Sequence, residues 1–330
     1  MKDRHRILNL AQGDLPLRKR PFSAWANEAG LSEEDLLRGL RALKRDGVVR
    51  RFGGVFDARA MGWITTLVGA VAPRGRLDDL HVRMKEHPGV THAYVRDHRI
   101  NVWFTLAVKT DGEISAFLEA LREEALADQA WSMPQKRRFK LDVRFDAGES
   151  GAAGSPSPSA GETKKRGPAG GSGPVPGSGI DRELVRALQG DLEFRPDLFQ
   201  ALAERIGIAL PDVLDRLQTW KEQKALKRIG AVVRHRRVGF AHNAMVAARV
   251  PAGRIEEAGR AVARLPFVSH AYERETPPDF PFGLFAMVHA RSAEALSEAV
   301  DAVKKATGAD DLAVLQSVRE LKKESMTFVP

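Results

Sequence analysis

The chain has 330 residues, 43% of them hydrophobic and 29% charged, with a formal net charge of +9 and no cysteine. Its length asks for two or more domains. The lack of cysteine excludes disulfides, thiolate metal sites, iron–sulfur clusters and cysteine nucleophiles, and no apolar run approaches the ~18 residues of a membrane span.

The basic balance calls for an anionic partner without naming it. The opening Met1-Lys2-Asp3-Arg4-His5-Arg6 lacks the apolar core of a signal peptide, so a cytoplasmic location without a membrane partner is expected. Ser23 to Ala29 reads as a short helix ended by Gly30. Ser32 followed by Glu33, Glu34 and Asp35 opens a second, with acids at its positive end. Leu36, Leu37, Leu40 and Leu43 then share one helical face. Two short helices around a glycine turn read as helix-turn-helix, and the β-rich VVRRFGGVF after them reads as a wing.

From Ile64 the pattern changes to strands near Ile64–Ala72, Val90–Val95, Asn101–Val108 and Lys136–Phe145, with helices near Leu77–Glu86 and Glu113–Leu126. This βαββαβ order is that of a ferredoxin-like sandwich, whose helix-free face usually pairs with a partner. Residues 148–179 are Gly, Ser, Pro and Ala with one Lys164-Lys165-Arg166 cluster, a composition that reads as a disordered linker with a mean span of roughly 30 Å. After it the whole pattern returns. Helices are expected at Phe199–Ile206 and Pro211–Gln223, then a wing, then strands at Ala244–Val250, Val268–Glu273, Phe282–Ala290 and Leu312–Leu321.

The return is visible residue by residue. Gln12-Gly13-Asp14-Leu15 recurs as Gln189-Gly190-Asp191-Leu192, and RFGGVFDARAMGW (51–63) as RIGAVVRHRRVGF (228–240), both at an offset of 177. VTHAYVR (90–96) recurs as VSHAYER (268–274). The fold expected is therefore α+β, a tandem duplication. Each copy is a winged helix-turn-helix (1–63 and 180–240) followed by a ferredoxin-like domain (64–147 and 241–330). The two sheets are expected to dock about a pseudo-twofold axis.

A winged helix beside a ferredoxin-like domain resembles the Lrp/AsnC transcription regulators, which makes a ligand-responsive regulator the alternative reading. The would-be recognition helices open on Ser32-Glu33-Glu34-Asp35 and Ala209-Leu210-Pro211-Asp212, and acids there repel phosphate, so DNA is not the expected partner. Finer motifs are similar to those of the siroheme decarboxylases. The second copy reads RIGAVVRHRRVGF, SHAYERE, DFPFGLFAMVH and SVRELKK, like one subunit type of that family, and the first reads HAYVRDHRINVWFTL, like the other. The first copy departs from the pattern at Asp57 and Ala58, which stand where the second copy has Arg234 and His235, and the second departs at Gly283, Glu275 and Thr276.

The resemblance implies a fused two-subunit carboxy-lyase of heme d1 or alternative heme biosynthesis, which removes CO2 from two acetates of siroheme to give 12,18-didecarboxysiroheme. Siroheme and its products are then the ligands. The chain forms its own pseudo-dimer, with a higher homo-oligomer or paralogous subunits left open. No separate cofactor is called for, because the macrocycle accepts the electrons. A polycarboxylate needs several cations around an apolar slot. The candidates are Arg51, Arg59, Arg96, Arg99, Lys136 and Arg137 in copy one, and Arg228, Arg234, Arg236, Arg274, Arg319 and Lys322 in copy two. For proton delivery the candidates are His98, His235, Tyr94 and Tyr272. His92, Tyr94 and Arg96 share a strand face, as do His270, Tyr272 and Arg274. No metal site built by the protein alone is expected, with His98 or His235 as candidate axial ligand to the substrate iron. His289 reads as a strand-core histidine.

Overall fold

The computed structural model describes residues 2–141, 177–234 and 242–329. His235, Arg236 and most of the expected linker lie outside the described residues. Copy one opens with three helices, α1 (Lys2–Ala11), α2 (Pro21–Ala29) and α3 (Glu33–Arg45), then β1 (Val49–Phe56). Its α/β part follows as β2 (Ile64–Val71), α4 (Leu77–Glu86), β3 (Val90–Arg96), β4 (Val102–Val108), α5 (Asp111–Glu123) and β5 (Gln129–Leu141). Copy two repeats the order as α6 (Gly179–Gln189), α7 (Leu198–Ile206), α8 (Leu210–Glu222), β6 (Leu226–Val233), β7 (His242–Ala248), α9 (Ile255–Ala263), β8 (Val268–Arg274), β9 (Leu284–Ala290), α10 (Ala293–Thr307) and β10 (Leu312–Lys323). Helices α1 and α6 escape the sequence reading: each buries only one short apolar set, Ile7, Leu8 and Ala11 or Leu184, Val185 and Leu188.

Local chemistry fixes the helix ends. Gly30 and Gly207 close α2 and α7 in the left-handed conformation, with φ of 65° and 80°. Ser32 caps α3 by accepting the Asp35 N–H, and Arg38 pairs with both Glu34 (3.1 Å) and Asp35 (2.8 Å). The acids that argue against DNA are thus used in capping and pairing their own helix.

The described parts of the wing segments pair between the copies. Strand β1 pairs antiparallel with β6 of the other copy, with Gly53 opposite Gly230. Among the described residues each copy supplies a single strand at this point, and it pairs with the other copy's. The repeated QGDL motif lies across this ribbon. In copy one, Leu15 N–H bonds Ile229 O (2.8 Å), Asp14 Oδ1 accepts the Ile229 N–H (3.0 Å), and Asp14 pairs with Lys221 (2.7 Å). In copy two, Leu192 N–H bonds Phe52 O (2.7 Å), Asp191 Oδ1 accepts the Phe52 N–H (2.9 Å), and Asp191 pairs with Lys44. Each copy's motif therefore clasps the other copy's strand. One apolar core runs through the leading helices of both copies, and Phe52 meets Phe194 across the copies with ring centroids 4.8 Å apart.

The two ribbon glycines are required by this crossing. A Cβ on Gly230 would sit 2.3 Å from Gly13 O, and one on Gly53 would sit 2.6 Å from Gly190 O. Gly230→Ala is expected to cost about 1–3 kcal/mol, because the obstacle is backbone and cannot swing aside. A denaturant titration reads this directly, and an unchanged midpoint would contradict the crossing.

The eight remaining strands close into a barrel in the order β10-β3-β4-β2-β5-β8-β9-β7. Within each copy the order is β5-β2-β4-β3 or β10-β7-β9-β8, and the copies meet at two edges, β5 with β8 and β10 with β3. The expected docking therefore occurs edge to edge as well as face to face. Helices α4 and α5 cover one sheet through Leu80, Met84, Phe117 and Leu121, and α9 and α10 cover the other through Ala258, Val262, Leu296 and Val303. A fourth cluster, including Leu67, Trp103, Met133, Met245 and Phe285, fills the space between the sheets. Among the described residues no helix is long and apolar enough to cross a membrane.

Candidate functional site

Strand alternation sorts the site. Ala93 and Val95 belong to the helix-covered core of copy one, so His92, Tyr94 and Arg96 point to the opposite side of β3. Ala271 likewise belongs to the helix-covered core of copy two, which turns His270, Tyr272 and Arg274 inward from β8. All six residues line one cavity of about 280 Å³ between the sheets. Its walls are apolar where Leu67, Trp103, Met245 and Phe285 stand, and polar where Asn243, His289, Glu320 and Lys323 enter.

The two triplets are built alike. The Arg96 guanidinium lies 5.4 Å from the Tyr94 ring centroid, and that of Arg274 lies 5.0 Å from the Tyr272 ring. Arg96 donates through Nη1 to Leu315 O (2.7 Å) and Ser317 Oγ (3.2 Å), and Arg274 through Nη1 to Met133 O (2.9 Å). Each arginine is therefore held by the other copy. Burial lowers both guanidiniums to about 10, with the adjacent tyrosine opposing the shift. Arg96 is only 5% exposed, and its buried Nε has no hydrogen-bond acceptor. A buried guanidinium N–H is answered by a water or an anion, as for the Nε of Arg51 and Arg228. Burial also pushes the Tyr272 hydroxyl up, against the pull of Arg274, Arg138 and Arg59, so it stays a proton donor in the neutral range.

His92 sits deepest in the electrostatic sense. Burial, then Arg50, Lys323 and His270, push it down to about 3. A histidine held below its unfolded value of roughly 6.5 binds its proton more weakly when folded. Stability is therefore full above pH 6.5 and is lost as pH falls from about 6.5 toward 3. His92→Gln is expected to flatten that acid loss, measured as urea midpoints at pH 7.5 and pH 5 in parallel. An acid loss equal to that of the wild type would show that His92 is not its source. An anion entering the cavity works in the opposite direction and raises His92.

The expected cations divide into two groups. Arg96 and Arg274 line the cavity, and the exposed Arg59 lies near enough to act on both Tyr272 and Arg274. Arg234 acts on Arg50, which in turn acts on Tyr94 and His92. The others have structural partners or lie on the surface. Arg51 donates to Leu188, Gln189 and Gly190 carbonyls at the end of α6, and burial followed by Arg50 lowers it to about 10. Arg228 holds the matching position on β6. Arg137 pairs with Glu256 (2.5 Å) and Glu273 (3.5 Å), and Arg319 with Asp78 (2.7 Å). Lys322 donates to Lys85 O (2.9 Å) and His87 O (3.0 Å) at the end of α4. Lys136 and Arg99 are exposed.

The histidine assignment shifts as well. His98 is not among the cavity residues: its Nδ1 accepts the Ile100 N–H (3.0 Å) across the β3–β4 turn, and its ring abuts Phe280 at 5.6 Å. That position sets His98 outside the cavity lining, one aromatic ring away from the cavity residue Trp103. The cavity histidines are His92, His270 and His289. Residues missed in the sequence are His289, Glu320, Lys323 and Arg138. Carrying the two-residue alternation through β9 from Phe285 and Met287 would have reached His289.

The helix-turn-helix region 4–50 matches the siroheme decarboxylase NirDL-like HTH domain, and residues 60–140 and 237–322 each match the AsnC-like ligand binding domain. The chain is 32% identical over 98% of its length, and 94% of the relative's, to a siroheme decarboxylase of Hydrogenobacter thermophilus. Its fold is similar to the crystal structure of the siroheme decarboxylase NirDL, with TM-score 0.73 and 30% identity over 98% of this chain and 93% of that one. It is equally similar to that protein in complex with an iron-uroporphyrin III analogue, with TM-score 0.72 and 29% identity over 99% and 94% of the two chains.

Proposed function

Because the chain belongs to the siroheme decarboxylase family, as a fused two-copy carboxy-lyase, we propose that siroheme is held with its acetate-bearing edge in the barrel cavity. There both acetates leave as CO2, giving 12,18-didecarboxysiroheme for heme d1 or alternative heme biosynthesis. The observation that carries this reading is the pair of His-x-Tyr-x-Arg triplets facing one cavity. One substrate that loses two acetates meets one chamber with two matching His-x-Tyr-x-Arg triplets. The complex of the structural relative with an iron-uroporphyrin analogue supports a carboxylated iron tetrapyrrole as the ligand.

Arg96 and Arg274 bind the acetates, with Arg59, Arg234 and Arg236 drawing on the remaining carboxylates. Trp103, Met245 and Phe285 exclude water, which weakens the solvation that holds a carboxylate in place. When the C–C bond breaks, the electron pair passes into the macrocycle, which is substrate and electron sink together. Tyr94, Tyr272 and the cavity histidines return the proton that makes the new methyl group. His235, one residue after Arg234, joins this set as a donor or axial iron ligand. The chain acts as its own pseudo-dimer in the cytoplasm, with no role for DNA. We read each copy as a helix-turn-helix followed by a ferredoxin-like sheet, divided near residues 63 and 240, and its strand order supports that reading.

The test is anaerobic incubation of the full chain with siroheme, followed by mass spectrometry. The expected product lacks two CO2. Normal turnover by a variant with both cavity triplets replaced would reject the cavity as the site.

A further inference from the structure

We propose that Glu320 and Arg138 give the two ends of the cavity different carboxylate selectivity and so fix how the mono-decarboxylated intermediate is seated. The Arg138 end takes the edge of the macrocycle that still bears its acetate, and the Glu320 end takes the edge that has lost it. The proposal rests on the reading that the acetates react in the barrel cavity.

The two triplets match, but the strands beside them do not. On β5, Gln135, Arg138 and Leu141 stand opposite Arg274, Tyr272 and His270. On β10, Ser317, Glu320 and Lys323 stand opposite Arg96, Tyr94 and His92. Residues directly opposed in an antiparallel pair share a face of the sheet, so Arg138 turns inward with Tyr272 and Glu320 with Tyr94. Glu320 and Lys323 line the cavity, and Arg138 acts electrostatically on the Tyr272 hydroxyl. On these strands the copy-two triplet is flanked by a cation alone, whereas the copy-one triplet is flanked by a cation and an acid that offset each other. The ribbon carries the reverse inversion. Asp57, held by Lys227 at 3.0 Å, acts on Tyr272. Arg234 and Arg50 stand at the matching positions of the repeat, and Tyr94 and Glu320 both act on Arg50. Arg50 donates to Lys323 O and Ser325 Oγ, both at 3.1 Å, which ties its charge to the end of β10.

At one end, then, the sheet is cationic and the ribbon holds the acid; at the other the sheet holds the acid and the ribbon is cationic. An acetate is a short arm and meets what stands beside the tyrosines. That is Arg274 reinforced by Arg138 at one end, and Arg96 opposed by Glu320 at the other. Siroheme presents an acetate to each end whichever way it enters. The intermediate carries one acetate and one methyl at those places, and matching triplets alone would leave its two seatings equal. Glu320 breaks the tie: a methyl beside it removes a like-charge contact, while the acetate beside Arg138 keeps its attraction. Glu320 is exposed to solvent, which limits its effect to about fivefold in affinity.

Anaerobic stopped-flow titrations of the full chain give its affinities for siroheme and for the isolated mono-decarboxylated intermediate before turnover. The readout is the ratio of the two affinities, in which any loss of folded protein cancels. Glu320→Gln is expected to tighten siroheme by about three- to fivefold and to leave the intermediate nearly unchanged. Glu320→Arg should move the ratio further in the same direction. Arg138→Gln should weaken both ligands alike, because each places an acetate there. The exchange of Glu320→Arg together with Arg138→Glu carries the acid to the other end and should return the ratio to that of wild type. A wild-type ratio in both Glu320 variants, or a ratio that the exchange does not restore, would overturn the proposal. The cavity reading fails separately, if the chain carrying both Arg96→Met and Arg274→Met binds siroheme as tightly as wild type.

Discussion

His270→Ala is expected to slow decarboxylation by about 10²–10⁴ while siroheme still binds, the signature of a lost general acid rather than a lost anchor. The ring lines the cavity, and its Nδ1 is held by Ser269, so its removal takes away an oriented donor without opening the apolar walls. His98→Ala is the matching contrast. That ring holds the β3–β4 turn through the Ile100 N–H and packs on Phe280. Its loss should appear as a lower melting temperature with kcat within a few-fold of wild type. Single-turnover kinetics and a spectroscopic titration on both variants decide the matter. A larger rate loss in His98→Ala than in His270→Ala would return the role to the turn.

Replacing Arg96 and Arg274 together with Met is expected to produce the largest binding defect. Each charge-assisted hydrogen bond contributes about 1.5–3 kcal/mol, so two weaken siroheme binding by roughly 10²–10⁴-fold. The double variant also leaves Leu315 O and Met133 O without their donors inside the barrel. A lower melting temperature accompanies the defect, so binding must be measured well below it. Single variants separate the two acetates. If each triplet serves its own acetate, one single variant stalls at one mono-decarboxylated isomer and the other at its partner. Full affinity in the double variant would show that the carboxylates are bound elsewhere.

Much of the molecule was legible in the sequence, and what was not has identifiable causes. The duplication stood out because its motifs recur at fixed offsets, yet the use of those motifs did not. Asp14 bonds Ile229, and Asp191 bonds Phe52; nothing local announces a partner more than a hundred residues away. The same blindness made Arg51 look like a substrate ligand, when it closes a helix of the other copy. The triplets on β3 and β8 were found because alternation there runs through the Tyr and Arg positions. On β5 and β10 it does not: both strands carry register shifts, between Arg138 and Lys140 and between Glu320 and Lys322. Slipping one residue in a strand swaps its faces. The sequence motifs point to Arg137, Arg319 and Lys322, whereas the residues beside Tyr272, Tyr94 and His92 are Arg138, Glu320 and Lys323.

The closed barrel also sets a schedule for the newborn chain. Strand β5 ends at Leu141, but the edges of copy one stay open until β8 and β10 arrive, and the last of these ends at Lys323. At roughly 5–20 residues per second, a ribosome leaves those two edges and the inner face of the first sheet bare for on the order of ten to forty seconds. Through that interval the nascent first half is an unfinished ring that a neighbouring nascent chain could close wrongly. Tethering the correct second half to it makes the right partner the nearest one by the time it emerges.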